Sequence, residues 1–351
     1  MTSIALKHKV TDYTCMVNGL EDLYENTTQS TLPPYFLFGL SALCAPAYIK
    51  DKRSPVPRMF YPNSGQPQRL YDFLQEILGC GVEICQNTGF SNAFKRAKQA
   101  IDAGKPVLLG ALDMYHLSYL EKFYHQQHIP IHYVLMIGYD ENKEQIQLLD
   151  CSRNDPQFLS YKDLEKAWDA PSPGFSKKNT LRIFTFEKNP PAPKDVFFAG
   201  LKKKTAINLA RVPDFIGVSA FGKLAREIMD WQQELGSEAY QSCLSHLVEY
   251  FGFPPLVPTS SKGLKKSHHG GRPQFAALLR WGAKEYNNEA LGILSGLFDD
   301  SSRIFAALAR EIFLALEYKT PLNESVPGYL REIEAIETQA FEWLQEIVQK
   351  G

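Results

Sequence analysis

The stretch Glu187–Asp195, EKNPPAPKD, separates two parts of the chain that obey different periodicities. Its three prolines withhold backbone donors and stiffen the path. Ahead of it, short apolar runs alternate with helical spacing. Behind it, "GVSAFGKLAREIMDWQQEL", "GRPQFAALLRWGAKEYNNEALGILSGLF", "SSRIFAALAREIFLALEY" and "GYLREIEAIETQAFEWLQEIVQK" repeat apolar residues every three or four positions. The expectation is an α+β fold: a mixed N-terminal domain over 1–188, then a mainly α-helical domain over 196–351. A length of 351 residues also exceeds what one ordinary core organises.

Within the first part, helices are expected from about Cys15 to Tyr24, over Gln68–Leu78 and over Ser91–Ala103. "GKPVLLGALD" (Gly104–Asp113) reads as a buried strand after a turn. "IHYVLMIGYD" (Ile131–Asp140) and "QIQLLD" (Gln145–Asp150) flank the polar turn "DENK", which predicts a hairpin. "TLRIFTF" (Thr180–Phe186) is a further strand. The apolar run Tyr35–Ile49 is short for a membrane span and holds Pro46, so it reads as buried or as a pocket wall. The segment Pro254–Gly271 reads as a polar, basic loop.

Formal net charge is -1, with 38 basic and 39 acidic residues, so nothing calls for a nucleic-acid or membrane partner. The N-terminus carries no secretion signal. The six cysteines include no CxxC pair, which suits a reduced cytoplasmic protein with free thiols. No paired Cys/His spacing makes zinc the expectation, and no metal or cofactor is expected.

Cys15 stands where the first helix would begin, with Asp12 or Thr14 as caps. A helix N-terminus favours thiolate and offers free amides to an oxyanion. A nucleophilic cysteine also needs a base and a group to orient it. Of the eight histidines, His132 alone interrupts an otherwise apolar strand, where an unbonded ring is costly. His8 falls in an irregular start, His125 and His128 in a loop, and His246 in a helix. If the hairpin turn centres near Glu141, Asp150 falls opposite His132 to within about a residue. Cys15 as nucleophile, His132 as general base and acid, and Asp150 as orienter make a papain-type triad. Asp113 either holds an amine or caps the next turn. Tyr115 is either a further oxyanion donor or a packed tyrosine.

These residues carry a resemblance. The order Cys-helix, His-strand, Asp-strand resembles papain-like enzymes of the bacteriocin-leader-peptidase shape. The chain is more closely similar to the butirosin biosynthesis protein H family. The matching stretches are "TCMVNGLEDLYEN", Phe38-Gly39-Leu40, the Asp113/Tyr115/Leu117/Tyr119 segment and the hairpin from His132 through the Gly138-Tyr139-Asp140 turn to Asp150. Departures are Thr14 in place of the usual His or small residue before the Cys, and "GLSALCAP" in place of a glycine-richer segment. "GVSAFGKLAREIMDW" and "HHGGRPQFAALLRWGAKEY" are similar to the helical domain often paired with that N-terminal one.

The resemblance implies a papain-like fold for 1–188 and acyl transfer from an acyl-carrier-protein or coenzyme A thioester, through Cys15, to a small amine. It makes Asp113, Tyr115 and Tyr119 candidate substrate-binding residues. The competing expectation is a cysteine peptidase or amidase with the same triad. A carrier protein is a candidate for the basic loop of Lys262, Lys265, Lys266, His268, His269 and Arg272. The C-terminal helix serves a homodimer as readily as an intrachain core.

Overall fold

The computed structural model describes the chain except residues 12–14, 42–44, 65–66, 171, 173–175, 253–268 and 351. The expected caps Asp12 and Thr14 lie outside the described residues. So do Lys262, Lys265, Lys266 and His268 of the basic loop, and the side chain of His269.

The chain opens with β1 (Thr2–Ser3), α1 (Cys15–Thr28) and α2 (Phe36–Leu40), followed by a hairpin of β2 (Ala45–Lys50) and β3 (Arg58–Ser64). Next come α3 (Pro67–Leu78), β4 (Cys80–Cys85), α4 (Phe90–Asp102) and β5 (Val107–Leu112). Then follow β6 (His132–Asp140), β7 (Gln145–Leu149), β8 (Gln157–Ser160), α5 (Tyr161–Trp168) and β9 (Leu181–Phe186). From there the described residues are helical: α6 (Pro193–Leu209), α7 (Ser219–Glu227), α8 (Trp231–Glu234), α9 (Ser237–Phe251), α10 (Arg272–Glu285), α11 (Glu289–Tyr318) and α12 (Val326–Lys350). The α+β organisation read from the sequence is present, as an antiparallel sheet region followed by a helical one.

Two compact units form. One comprises Met1–Leu37 and Gln66–Val196; the other comprises Phe38–Gly65 and Phe197–Gly351. The packing therefore differs from a contiguous division into 1–188 and 196–351 in one place. The β2–β3 hairpin joins the helical unit, where Tyr48 and Phe60 enter a core with Phe221, Trp231, Phe251 and Phe305. Its polar groups are satisfied there too. The Tyr48 hydroxyl donates to Glu227 Oε2 at 2.8 Å, and the Phe60 amide donates to His246 Nε2 at 3.2 Å. That acceptor nitrogen requires a neutral ring, and burial holds the His246 pKa down, at about 4.

The first unit is built on a seven-stranded antiparallel sheet, β4-β9-β5-β6-β7-β8 with β1 also on β6. Alternation sorts its side chains. Leu109, Val134, Met136, Leu148, Leu181 and Ile183 join a core with Ala97, Ile101, Leu164 and Trp168 of α4 and α5. The intervening residues meet α1 and α3: Leu135 lies against Gly19, and Phe184 packs against the Tyr71 ring. Gly19 is required there, since a Cβ would come within 2.9 Å of Leu135. α1 can thus lie directly on β6, which sets the helix that begins with Cys15 over the strand that begins with His132.

The helical unit departs from its sequence pattern in one instructive way. The second and third amphipathic segments do not divide at Asp299–Ser302. Instead α10 ends near Tyr286, Asn287 adopts a left-handed φ of 51°, and α11 runs unbroken for 30 residues. Asn tolerates that conformation, so it stops a helix that periodicity alone would continue. Arg272, at the edge of the basic loop, is buried and bonds Glu337 through Nε and Nη2, each at 2.7 Å. No described helix is long and apolar enough to cross a membrane.

Candidate active site

Cys15 is the first residue of α1, the position at which backbone amides have no intrahelical partner. Its side chain is half-buried, and its Sγ lies 3.8 Å from the Ile131 carbonyl oxygen. Ile131 immediately precedes β6, so the thiol is held beside the residue before His132. The His132 ring bonds Asp150 on one side, and the Cys15 side chain is among the groups that raise its pKa. Nε2 donates to Asp150 Oδ2 at 2.5 Å, which leaves Nδ1 as the nitrogen for Cys15.

The hairpin accounts for the His–Asp contact, with a register unlike the simple expectation. β6 and β7 pair Leu135 with Leu149 and Met136 with Leu148, and a bulge lies between Met136 and Gly138. Continuing that register by one residue sets Asp150 opposite Val134, so the carboxylate reaches His132 diagonally, within the span of two long side chains. A second irregularity, between Leu109 and Leu112 on β5, places Leu112 opposite His132. Bulges re-aim side chains at sheet rims, and the β5 irregularity sits next to this site.

Asp150 is fully buried and accepts four hydrogen bonds. Oδ1 takes the Ser152 amide at 2.9 Å and the Ser152 hydroxyl at 2.7 Å. Oδ2 takes the Tyr119 hydroxyl at 2.9 Å and His132 Nε2. Burial opposes ionisation of this carboxyl, but the His132 charge and these donors outweigh it and hold its pKa well below the carboxylate range. Burial likewise opposes protonation of His132. The Asp150 carboxylate and the Cys15 side chain outweigh that, and the ring's pKa is raised. The arrangement favours imidazolium beside the Cys15 side chain.

Sequence reasoning placed His8 in an irregular start, and its backbone is irregular there, but its ring is firmly partnered. The ring is part-buried against the back of the site. Nδ1 lies 2.6 Å from Asp22 Oδ2, and Nε2 lies 3.0 Å from both the Asp150 and the Arg153 carbonyl oxygens. Arg153 in turn donates to the Tyr119 carbonyl at 2.9 Å. These contacts fix the turn after β7 that aims Asp150. No local sequence signal marks them, because His8 and Asp150 are 142 positions apart.

The three candidate substrate-binding residues separate. Tyr119 supports Asp150, as described. Asp113 follows β5 and caps the short helical turn Met114–His116, accepting from the Tyr115 amide at 3.1 Å. Tyr115 stacks on the His128 ring at 4.0 Å. Among the described residues, neither Asp113 nor Tyr115 bonds to Cys15, His132 or Asp150. The tyrosines that do sense the Cys15 charge are Tyr71, Tyr119 and Tyr133. The Tyr71 hydroxyl donates to the Met16 carbonyl at 2.7 Å, tying α3 to the first turn of α1. The Arg182 guanidinium lies 4.5 Å from the centre of the Tyr71 ring, buried, with Nε and Nη1 unpaired. Tyr71, Tyr133 and Arg182 lie on separate elements, and their spacing along the chain held no motif.

Tyr119→Phe removes one donor to a buried carboxylate. Such a bond contributes about 1.5–3 kcal/mol. The expected result is a turnover loss of roughly tenfold with the fold intact, measured by steady-state kinetics and thermal unfolding. A variant with wild-type kinetics would remove Tyr119 from the support of Asp150.

No curated protein matches the chain. Residues 14–151, which hold α1, strands β2 to β7 and all three of Cys15, His132 and Asp150, match the family model described as butirosin biosynthesis protein H, N-terminal.

Proposed function

We propose that this protein is a cysteine-dependent acyltransferase with a papain-like site. It takes an acyl group from a carrier-protein or coenzyme A thioester and passes it to a small amine. The observation that carries this reading is the convergence of Cys15, His132 and Asp150, with the thiol at the start of α1 beside the carbonyl that precedes His132 and His132 Nε2 2.5 Å from a buried carboxylate. The family description, which names the biosynthesis of butirosin, supports a bond-forming role over a degradative one.

The steps follow from the groups present. The Cys15 thiolate attacks the thioester carbonyl carbon, and the oxygen takes up the negative charge. Free amides at the start of α1 suit that oxyanion. Collapse breaks the bond to the carrier sulfur, which takes the proton from His132 Nδ1, and the acyl group remains on Cys15. The amine then attacks the new thioester. His132 accepts its proton, and the Cys15–carbon bond breaks to regenerate thiolate. Asp150 keeps the ring oriented throughout and stabilises its charged form, without itself taking the proton. Thioester exchange between two thiols is close to even in free energy, so the nitrogen acceptor draws the second step forward.

The test is intact mass after incubation with a panel of carrier-protein and coenzyme A thioesters. A single acyl adduct on the protein is expected, absent in Cys15→Ala and discharged by amines faster than by water. An adduct discharged by water alone, or acylation only by peptides and amides, would replace this reading with the peptidase or amidase. No adduct and no reaction of Cys15 with an alkylator would leave a binding protein with an inert site.

A further inference from the structure

Away from the triad, three side chains of the first unit converge in a way the reaction above does not use. Asp113, His116 and His128 each bring one potential ligand atom within 4.8 Å of the other two. The carboxylate is divided between two tasks. Oδ1 is held by two backbone amides, Tyr115 at 3.1 Å and Ile129 at 2.9 Å. Oδ2 faces His128, with Nδ1 at 2.6 Å. His116 Nδ1 is buried yet has no hydrogen-bond partner. A buried ring nitrogen left unpaired in a protein interior calls for an explanation, and a bound ion supplies one. The three residues open onto a cavity of about 560 Å³, lined also by Glu165, Lys166 and Asp169.

We propose that Asp113, His116 and His128 form a binding site for a divalent transition-metal ion of the zinc class. Two imidazoles and one carboxylate are the donor set that such ions take, and three protein ligands with a fourth position open are the pattern of zinc sites that bind an exchangeable ligand. The open position faces the cavity and admits water or a donor group from a small molecule. The ligands are oriented in advance. The two amides on Oδ1 fix the carboxylate plane, and the Tyr115 ring, stacked at 14° on His128, fixes that imidazole. Zinc takes the place of the proton shared by His128 Nδ1 and Asp113 Oδ2; that proton moves to Nε2 of the same neutral ring. Metal–ligand distances of about 2 Å require the pair to open by less than about 1 Å, which the exposed His128 side chain permits. Lys166 opposes a cation in this cavity, and the carboxylates of Glu165, Asp169 and Asp113 outnumber it.

Spacing did not disclose the site. Asp113 and His116 share one short helical turn, while His128 returns after a run of turns through 117–127, so no pair shows a recognised ligand interval.

The experiment is titration of the full chain with cobalt(II), read by its visible ligand-field bands, followed by displacement with zinc against a chromophoric chelator. The expected result is one equivalent bound with four-coordinate cobalt bands. Affinity should fall by about tenfold or more in His116→Ala and in His128→Ala. It should persist in Cys15→Ala and His132→Ala. Zinc should raise the unfolding temperature of the wild type and of Cys15→Ala, but not of the His116 and His128 variants. Because the His128 ring is exposed, His128→Ala should unfold like the wild type when no metal is present, which separates a lost ligand from a lost fold. The proposal is overturned if neither metal binds. It is equally overturned if binding survives both His116→Ala and His128→Ala, or if His132→Ala or Cys15→Ala abolishes it and so moves the ion to the triad.

Discussion

Cys15→Ala is expected to lower acyl turnover by roughly 10⁵-fold or more, and His132→Ala by a similar factor. Each loss corresponds to about 7 kcal/mol of barrier, far beyond what any packing change at this half-buried position would cause. The reason lies in how the two side chains depend on each other. In the proposed reaction His132 takes up and returns the proton, and of the two only Cys15 forms a bond to the acyl carbon. Without the sulfur the base has nothing to activate. Without the ring the sulfur is a weak nucleophile at neutral pH and the departing thiol has no proton donor. Groups acting as a unit are strongly non-additive, so the double variant should be no slower than either single one. Kinetics of all three variants on one thioester, with circular dichroism to confirm folding, provide the check. Losses that add would mean that the two side chains act separately and that the triad reading is mistaken.

Asp150→Asn should lower turnover by roughly 10³–10⁴-fold while leaving the fold in place. The substituted amide can still meet Ser152, but it presents an NH₂ where Oδ2 accepted from His132 Nε2 and from the Tyr119 hydroxyl. The ring must then place its proton on Nδ1, which is the nitrogen that serves Cys15. Burial, no longer outweighed by the carboxylate, pulls the His132 pKa down. The alkaline limb of the rate profile, which reports loss of the imidazolium, should therefore move to lower pH in the variant. Stability gives an independent readout. The His132 pKa is raised on folding, so its contribution is complete below the unfolded value of about 6.5 and fades as pH rises through the folded one. The Asp150 pKa is depressed, so its contribution is present above about 3.9 and is lost as pH falls toward the folded value. The gap in unfolding temperature between wild type and Asp150→Asn should be widest between about pH 4 and pH 6.5. A gap independent of pH would show that no charged pair joins these residues.

Much of the site is legible in the amino-acid sequence because its most telling feature is local. His132 and Asp150 are joined by one hairpin, and "DENK" is a turn signal that needs no tertiary information. Asp140 even accepts from the Asn142 and Lys143 amides to shape that turn. The supports of Asp150 are not legible in the same way. Tyr119 reaches it from a turn outside the sheet, and His8 reaches its carbonyl from the far end of the chain. The cluster of Asp113, His116 and His128 shows the same limit: composition supplies the ligands, and only the returning loop brings them together.

The sequence by itself determined the main elements around the site and their order: a mixed α and β region with one hairpin, a helical region, a thiol at a helix start, an imidazole on a strand and a carboxylate at the end of the next. Those follow from periodicity, turn residues and the cost of a polar ring in an apolar run, all of which act over a few neighbouring positions. Tertiary structure alone decided that the β2–β3 hairpin packs with the helices, that α10 and α11 part at Asn287, and that four donors converge on Asp150. Each of these is settled by which distant surfaces bury apolar area and which buried polar atoms find partners, and neither quantity is a property of any short stretch of chain.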